Sequence, residues 1–153
     1  MLLREEKLLS KKVMIVDDEP DMHEILKMYL RKIENLEVIS AYTGEEGVKK
    51  YKELYEKGEE PSLVIMDLNL SGRRGVENLD LHIEGKDEKW SGVQTTKEIL
   101  KINPNATIWG YTAWFDTKWT DELLKAGAKK VIKRPIPFKE VAKMVKEFFE
   151  EQL

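Results

Sequence analysis

The feature that most constrains this chain is a short apolar run that ends in three acids and a proline. Residues 13–16 are apolar, residues 17–19 are Asp, Asp and Glu, and residue 20 is Pro. An apolar run of this length, bounded by polar residues, is typical of a strand buried on both faces of a parallel sheet. Proline suits the first turn of the helix that would follow. The acids therefore lie where a buried strand ends and a helix begins.

The position of these acids permits two interpretations. Ligands bind at the carboxyl edge of open parallel sheets, and acids gathered there repel one another unless a divalent cation with oxygen ligands lies between them. The alternative is a solvated acidic loop that caps the first helix. The stretch by itself favours neither interpretation.

Composition narrows the class of protein. A chain of 153 residues suits one domain, residues 11–153, after a polar lead-in over residues 1–10. The net charge of −3 predicts no direct binding of nucleic acid, and the absence of cysteine excludes disulfides and thiolate metal sites. The start is too charged for a signal peptide and no apolar run is long enough to cross a membrane. We therefore expect a cytoplasmic protein without membrane contact.

Strand-like and helix-like segments alternate along the chain. The predicted strands cover residues 11–16, 36–41, 63–66, 106–111 and 130–133. The predicted helices cover residues 20–34, 44–57, 92–102, 120–126 and 138–151. Five strands alternating with five helices predict an α/β fold in which a parallel sheet carries helices on both faces.

Polar side chains follow three of the predicted strands. Asp17 and Asp18 follow the first strand, Asp67 follows the third and Thr112 follows the fourth. Right-handed crossovers place strands one and three side by side, so the acids would converge on a magnesium site with room for phosphate oxygens. A carboxylate beside that cation can attack phosphorus, while a hydroxyl and a basic residue hold the phosphate oxygens.

With these residues in place, the chain resembles the receiver domains of two-component response regulators, of the chemotaxis-regulator type. The motifs that carry the resemblance are VDDEP at 16–20, VIMDL at 64–68, YTA at 111–113 and KRP at 133–135. The resemblance covers nearly all of residues 11–150. It implies a flavodoxin-like, doubly wound sheet of strand order 2-1-3-4-5.

The resemblance also implies a role for each matching residue. Asp67 would be the phosphoacceptor, taking a phosphoryl group from a sensor histidine kinase. Asp17, Asp18 and Asp67 would bind Mg2+, with the backbone carbonyl of Asn69 completing the site. Thr112 would bond a phosphoryl oxygen and move on activation. Such a domain is not an ordinary enzyme, although it assists its own phosphorylation and dephosphorylation.

The basic residue after the fifth strand departs from the family pattern, which has a lysine directly before a proline. An ungapped alignment puts Arg134 at that position, whereas a local bulge would present Lys133, which we favour slightly. Alternation along a strand points the two side chains to opposite faces, so only one should reach the phosphate. The same alignment puts Val131 where the family often has a switch aromatic.

A second departure is an inserted segment at residues 71–90, called the insert below. The family usually reaches its next helix within about ten residues of the phosphoacceptor. Here Gly92, which opens that helix, lies 25 positions after Asp67, so roughly 17 residues are added beside the site. Weak alternation predicts a loop or hairpin arm with three polar residues on one face, Asp80, His82 and Glu84. We interpret these residues as a solvated hairpin face in preference to metal ligands.

The basic residues of the insert and several aromatic or ionisable residues elsewhere carry weaker predictions. Arg73 and Arg74 would approach the phosphoryl group or a partner. His23 is predicted to be a surface residue of the first helix. Of Trp109 and Trp114, one should pack in the core and the other should be partly exposed.

We therefore interpret the chain as a stand-alone receiver that switches the binding of a downstream protein. The surface formed by the fourth predicted helix, the fifth strand and the fifth helix is where this family docks or pairs, which makes it a candidate homodimer surface. The alternative is a non-phosphorylated pseudo-receiver that acts as a protein-interaction module. A magnesium-dependent phosphatase is disfavoured because such enzymes need an acid two residues after the nucleophile, where this chain has Asn69.

Overall fold

The computed structural model describes residues 11–114, 117–134 and 137–152. The predicted lead-in, residues 1–10, therefore lies outside the described residues. The strands are β1 Lys11–Val16, β2 Leu36–Ala41, β3 Leu63–Met66, β4 Ile108–Thr112 and β5 Lys130–Lys133. The helices are α1 Pro20–Leu30, α2 Gly44–Glu56, α3 Val76–Ile83, α4 Gly92–Ile102, α5 Lys118–Ala126 and α6 Phe138–Glu151.

The strands form one parallel sheet in the order β2-β1-β3-β4-β5. This order confirms the predicted fold and puts β1 directly beside β3, with Val13 opposite Leu63 and Val16 opposite Met66. The ladder continues past the strands, because the Asp67 N–H donates to the Val16 carbonyl at 3.0 Å. The residues that follow β1 and β3 are therefore held side by side.

Two apolar clusters cover the two faces of the sheet, because alternate residues of the buried strands point to opposite sides. One cluster joins the sheet to α2, α3, α4 and α5, through residues that include Tyr51, Leu79, Ile99 and Leu123. The other joins it to α1 and α6, through residues that include Leu26, Leu30, Val141 and Val145. Trp109 is buried and Trp114 is half-buried, which confirms that prediction.

Local signals set most helix starts. Pro20 occupies the first turn of α1. The Thr43 hydroxyl accepts from the Glu46 N–H at 3.0 Å, and the Glu46 carboxylate accepts from the Tyr42 N–H at 2.8 Å. The Glu side chain thus reaches one residue further back than in the usual capping box. The first helix ends at Leu30, four residues before the predicted end.

The hairpin predicted for the insert is wrong, because residues 76–83 form α3. Leu79 and His82 lie three positions apart on one face of this helix and are both buried, so a helical period overrides the weak alternation. Asp80 bonds the indole of Trp119 instead of sharing a face with His82 and Glu84. Among the described helices, none is both long and apolar enough to span a bilayer.

Candidate functional site

Three carboxylates meet at the carboxyl edge of the sheet. Asp17 and Asp18 follow β1 and Asp67 follows β3, and one oxygen of each lies within 4.8 Å of the others. Asp17 and Asp67 are almost fully buried, whereas Asp18 is partly exposed. The predicted convergence of the acids follows from the β1–β3 pairing, which aligns the ends of these two strands.

A guanidinium group lies against these acids. Arg134 Nη2 is 2.5 Å from Asp17 Oδ2, and Nη1 is 3.9 Å from Asp67 Oδ2. The guanidinium carbon also lies 4.6 Å from the centre of the Tyr111 ring. β5 pairs with β4 in regular register up to Lys133, so the bulge that would turn Lys133 toward the acids is absent from this pair of strands. The Lys133 side chain is exposed. The structure therefore places Arg134, and not the slightly favoured Lys133, at the acids.

Burial and like charges make ionisation of this cluster costly. Burial is the main cause that raises the pKa of Asp67 well above its ordinary value, and Asp17 and Asp18 raise it further. Arg134 lowers the pKa of Asp67 but does not outweigh these effects. Burial also raises the pKa of Asp18, which the Gly72 N–H opposes. The positive charge of Arg134 is therefore not enough to offset the burial and mutual repulsion of the carboxylates at this edge of the sheet.

His23 holds the backbone of Asp17 by a hydrogen bond. The prediction that His23 is a surface residue is wrong. It is fully buried, its Nε2 donates to the Asp17 carbonyl at 2.7 Å, and its Nδ1 lies 3.0 Å from Ser40 Oγ. Burial lowers the pKa of His23, so the neutral ring is favoured. The signal was present in the sequence, because His23, Leu26 and Leu30 recur at the spacing of one helix face.

Thr112 and Asn69 lie at the strand ends where they were predicted. Thr112 closes β4, is fully buried, and its hydroxyl accepts from the Trp114 N–H at 3.0 Å. The Asn69 side chain accepts from the Ser71 N–H and hydroxyl and donates to the Arg73 carbonyl. The side-chain amide of Asn69 is thus used in hydrogen bonds within the turn over residues 69–73. The backbone carbonyl is the atom of Asn69 that was predicted to bind the cation.

The insert reaches the acids through its backbone, a contact that sequence reasoning missed. The Gly72 N–H donates to Asp18 Oδ2 at 2.7 Å. Arg74 pairs with Glu19 at 3.5 Å between exposed side chains, so it lies at the rim of the cluster. Every residue except proline has a backbone N–H, so the residue type at position 72 does not indicate this bond. Its partner, Asp18, lies 54 positions away along the chain.

Gly92 allows α4 to begin directly against the residue that follows β3. A Cβ built at Gly92 would lie 2.1 Å from the Asp67 carbonyl oxygen and 3.0 Å from Leu68 Cα. Because both neighbours are backbone atoms, a side chain at this position would have to displace the Asp67 loop. Glycine is needed here for close approach, and its φ angle is an ordinary one.

Known proteins resemble this chain in sequence. The sequence pattern of the response regulator receiver domain matches residues 13–88. The chemotaxis protein CheY of Thermotoga maritima is 33% identical over 127 residues, which cover 83% of this chain and 88% of that protein. This chain belongs to the response regulator receiver family.

Solved receiver structures share the fold. A CheY-like receiver domain from Methanospirillum hungatei has a TM-score of 0.69 at 21% identity, with 94% of this chain and 96% of that chain covered. The CheY of a CheX–CheY–BeF3–Mg2+ complex from Borrelia burgdorferi has a TM-score of 0.70 at 24% identity, with coverage of 91% and 89%. The receiver fold therefore extends over more than nine-tenths of this chain.

The residues present in this receiver fit a magnesium ion. The cluster offers carboxylate oxygens from three residues at short mutual distances, and hard oxygen ligands are what Mg2+ prefers. Since Arg134 leaves the pKa of Asp67 raised, a further cation would lower the cost of ionising that carboxylate.

Proposed function

We propose that this receiver accepts a phosphoryl group on Asp67 from a sensor histidine kinase in an Mg2+-dependent reaction, and that phosphorylation switches the binding of a downstream protein. The observation that carries the proposal is the position of Asp67. Its buried carboxylate has an oxygen within 4.8 Å of the carboxylates of Asp17 and Asp18, and Oδ2 lies 3.9 Å from the guanidinium of Arg134. We further propose that the protein acts in the cytoplasm.

The proposed transfer forms one bond and breaks one bond. An ionised oxygen of Asp67 attacks the phosphorus of a phosphohistidine, an O–P bond forms, and the N–P bond breaks with its electron pair going to the imidazole. Asp17, Asp18, Asp67 and the carbonyl of Asn69 would hold Mg2+, which would neutralise charge on the phosphoryl oxygens when bound.

Two other residues would hold the phosphoryl group. Arg134 already lies between Asp17 and Asp67, and its planar fork is suited to two phosphoryl oxygens at once. The Thr112 hydroxyl, at the end of the neighbouring strand, would donate to a third. The same arrangement would support attack by water on phospho-Asp67, so the switch would reset itself without acting as an ordinary enzyme.

We propose the surface of α5, β5 and α6 as the place where phosphorylation is read, by a downstream protein or by a second copy of the chain. β5 is one of the two edge strands of the sheet, and Arg134 follows it directly. A shift of Arg134 from Asp17 toward a phosphoryl group would therefore act first on the end of β5. Leu124 of α5 adds an exposed apolar side chain to this surface.

The Arg134–Asp17 ion pair supports one alternative, a pseudo-receiver that binds proteins without phosphorylation. In that case the guanidinium takes the place of the cation, and Asp17 is not a ligand. The alternative predicts that neither Mg2+ nor a phosphodonor acts on the protein.

Intact mass spectrometry decides between these functions. The wild-type protein is incubated with acetyl phosphate, with and without Mg2+, beside the Asp67→Asn variant. We expect a phosphoryl adduct on wild type only in Mg2+ and none on the variant. No adduct on wild type, together with no Mg2+ binding by calorimetry, would establish the pseudo-receiver instead.

A further inference from the structure

The insert is a packed part of the molecule with its own internal bonds. Leu79 of α3 is fully buried in the apolar cluster. Nε2 of the buried His82 accepts from the Leu70 N–H at 3.0 Å, so the ring proton lies on Nδ1, which donates to Asp87 Oδ2 at 2.8 Å. These contacts attach α3 firmly to the loop that leaves β3.

One end of the insert holds an acid of the cluster. The Gly72 N–H donates to Asp18 Oδ2 at 2.7 Å, and the neighbouring Ser71 carbonyl accepts from Lys89 Nζ at 3.1 Å. Asp18 is the most exposed of the three acids, and Gly72 is its donor from outside its own loop. The orientation of the Asp18 carboxylate toward the other two acids thus depends on where the insert places Gly72.

The helix in the middle of the insert, α3, holds the start of α5. Asp80 Oδ1 accepts from the indole Nε1–H of Trp119 at 2.7 Å. Trp119 is the second residue of α5, and its ring packs against the same apolar cluster as Leu79. Asp80 and Leu79 are adjacent on one short helix, so a shift of α3 changes the Trp119 bond and the loop at Gly72 together.

We propose that the insert is a positioning element that couples cation binding at the acidic cluster to the start of α5. Asp80 and Trp119 are then positioning residues: neither touches the acids, yet their bond fixes α3 and, through it, Gly72 and Asp18. Coupling between two sites is reciprocal, so weakening the Asp80–Trp119 bond lowers Mg2+ affinity, and bound Mg2+ strengthens that bond. The inference rests on the cation site of the proposed function.

The test uses substitutions at Asp80 that separate charge from hydrogen bonding. Asp80→Asn removes the charge but keeps an oxygen that accepts from the indole, whereas Asp80→Ala removes both. Glu77→Ala removes one exposed acid from the same helix and is the matched control. Mg2+ affinity is measured by calorimetry on the full chain. We expect affinity to fall at least about threefold in Asp80→Ala and to stay within about twofold of wild type in Asp80→Asn and Glu77→Ala.

A second readout follows the Gly72 contact and the Asp80–Trp119 contact of the insert without any phosphodonor. The four tryptophan indole N–H signals of the 15N-labelled protein are assigned with a Trp119→Phe variant. We expect added Mg2+ to slow hydrogen exchange of the Trp119 indole N–H, and Asp80→Ala to speed exchange of the Gly72 amide. Asp80→Asn should restore the wild-type Gly72 rate.

The outcomes separate this inference from the proposed function. Wild-type protein that binds Mg2+, with equal affinity in Asp80→Ala and an unchanged Trp119 signal, would overturn the coupling and leave the proposed function intact. Wild-type protein that binds no Mg2+ would overturn both. Loss of affinity in Asp80→Asn equal to that in Asp80→Ala would assign the effect to charge and also overturn the coupling.

Discussion

The guanidinium of Arg134 lies 2.5 Å from Asp17 Oδ2, although the two residues are 117 positions apart in the chain. β3 and β4 lie between the strands that these residues follow. Neighbouring strands are about 4.8 Å apart, so a long side chain is required to cross that span. The contact places a fixed positive charge beside the buried Asp67 carboxylate, and the register of β5 against β4 determines that this basic residue is Arg134.

Replacement of Arg134 should slow phosphorylation. Arg134→Ala removes the charge nearest Asp67, and we expect the rate of adduct formation from acetyl phosphate to fall about tenfold or more. Arg134→Lys keeps the charge without the planar fork and should be intermediate. Time-resolved intact mass measures the rates. Lys133→Ala should have the smaller effect, and a larger effect than that of Arg134→Ala would show that the lysine holds the phosphoryl group.

Removal of the Asp67 charge should stabilise the fold at neutral pH. The pKa of Asp67 in the folded protein is raised well above its ordinary value of 3.8. The folded protein therefore binds this proton more readily than the unfolded chain. The charge thus costs stability in full above the raised pKa, and the cost declines as the pH falls from that pKa to 3.8, below which it is absent.

At pH 7 without Mg2+, we expect Asp67→Asn to raise the free energy of unfolding by about 1–3 kcal/mol, since the amide avoids the cost of burial and of the neighbouring acids while Arg134 keeps Asp17 as its partner. The gap should close as the pH falls through the raised pKa toward 3.8. Urea unfolding at a series of pH values measures it, with Glu53→Gln on the exposed side of α2 as the control. A gap that is constant with pH would contradict the raised pKa.

A methyl group at Gly92 should disturb the loop that begins at Asp67. Gly92→Ala forces a Cβ against the Asp67 carbonyl, and we expect a loss of stability of about 1–3 kcal/mol with slower phosphorylation. Gly47→Ala is the control, since the atoms nearest its Cβ would be side-chain atoms and not backbone: Val16 at 3.1 Å and Ala41 at 3.7 Å. Urea unfolding and adduct formation are measured for both. Equal behaviour of the two variants would refute the close-approach argument.

The insert should contribute to global stability through one of its two leucines. Leu79 is fully buried and Leu81, two positions on, is 47% exposed. We expect Leu79→Ala to cost about 2–5 kcal/mol because it leaves a cavity, and Leu81→Ala to change stability by less than about 0.5 kcal/mol. Denaturant unfolding of both variants is the measurement. A Leu79→Ala variant as stable as wild type would mean that the insert folds apart from the core.

The sequence by itself determined the sheet and the identity of the acids at its edge. Buried parallel strands require continuous apolar runs, and residues 13–16 and 63–66 are such runs, each followed by acids. Short-range rules of the same kind predicted Pro20 at the start of α1 and Thr43 as the cap of α2. These features depend on neighbours a few positions away, which is why a single sequence reveals them.

The tertiary structure decided which long-range partners meet. The choice of Arg134 over Lys133 depended on the regular pairing of β5 with β4, and the burial of His82 depended on α3 packing beside Leu70. The backbone N–H of Gly72 bonds Asp18, and a backbone contact of this kind cannot be predicted from residue type. Strand register, helix packing and backbone hydrogen bonds between distant segments depend on long-range contacts, and local periodicity in the sequence does not predict those contacts.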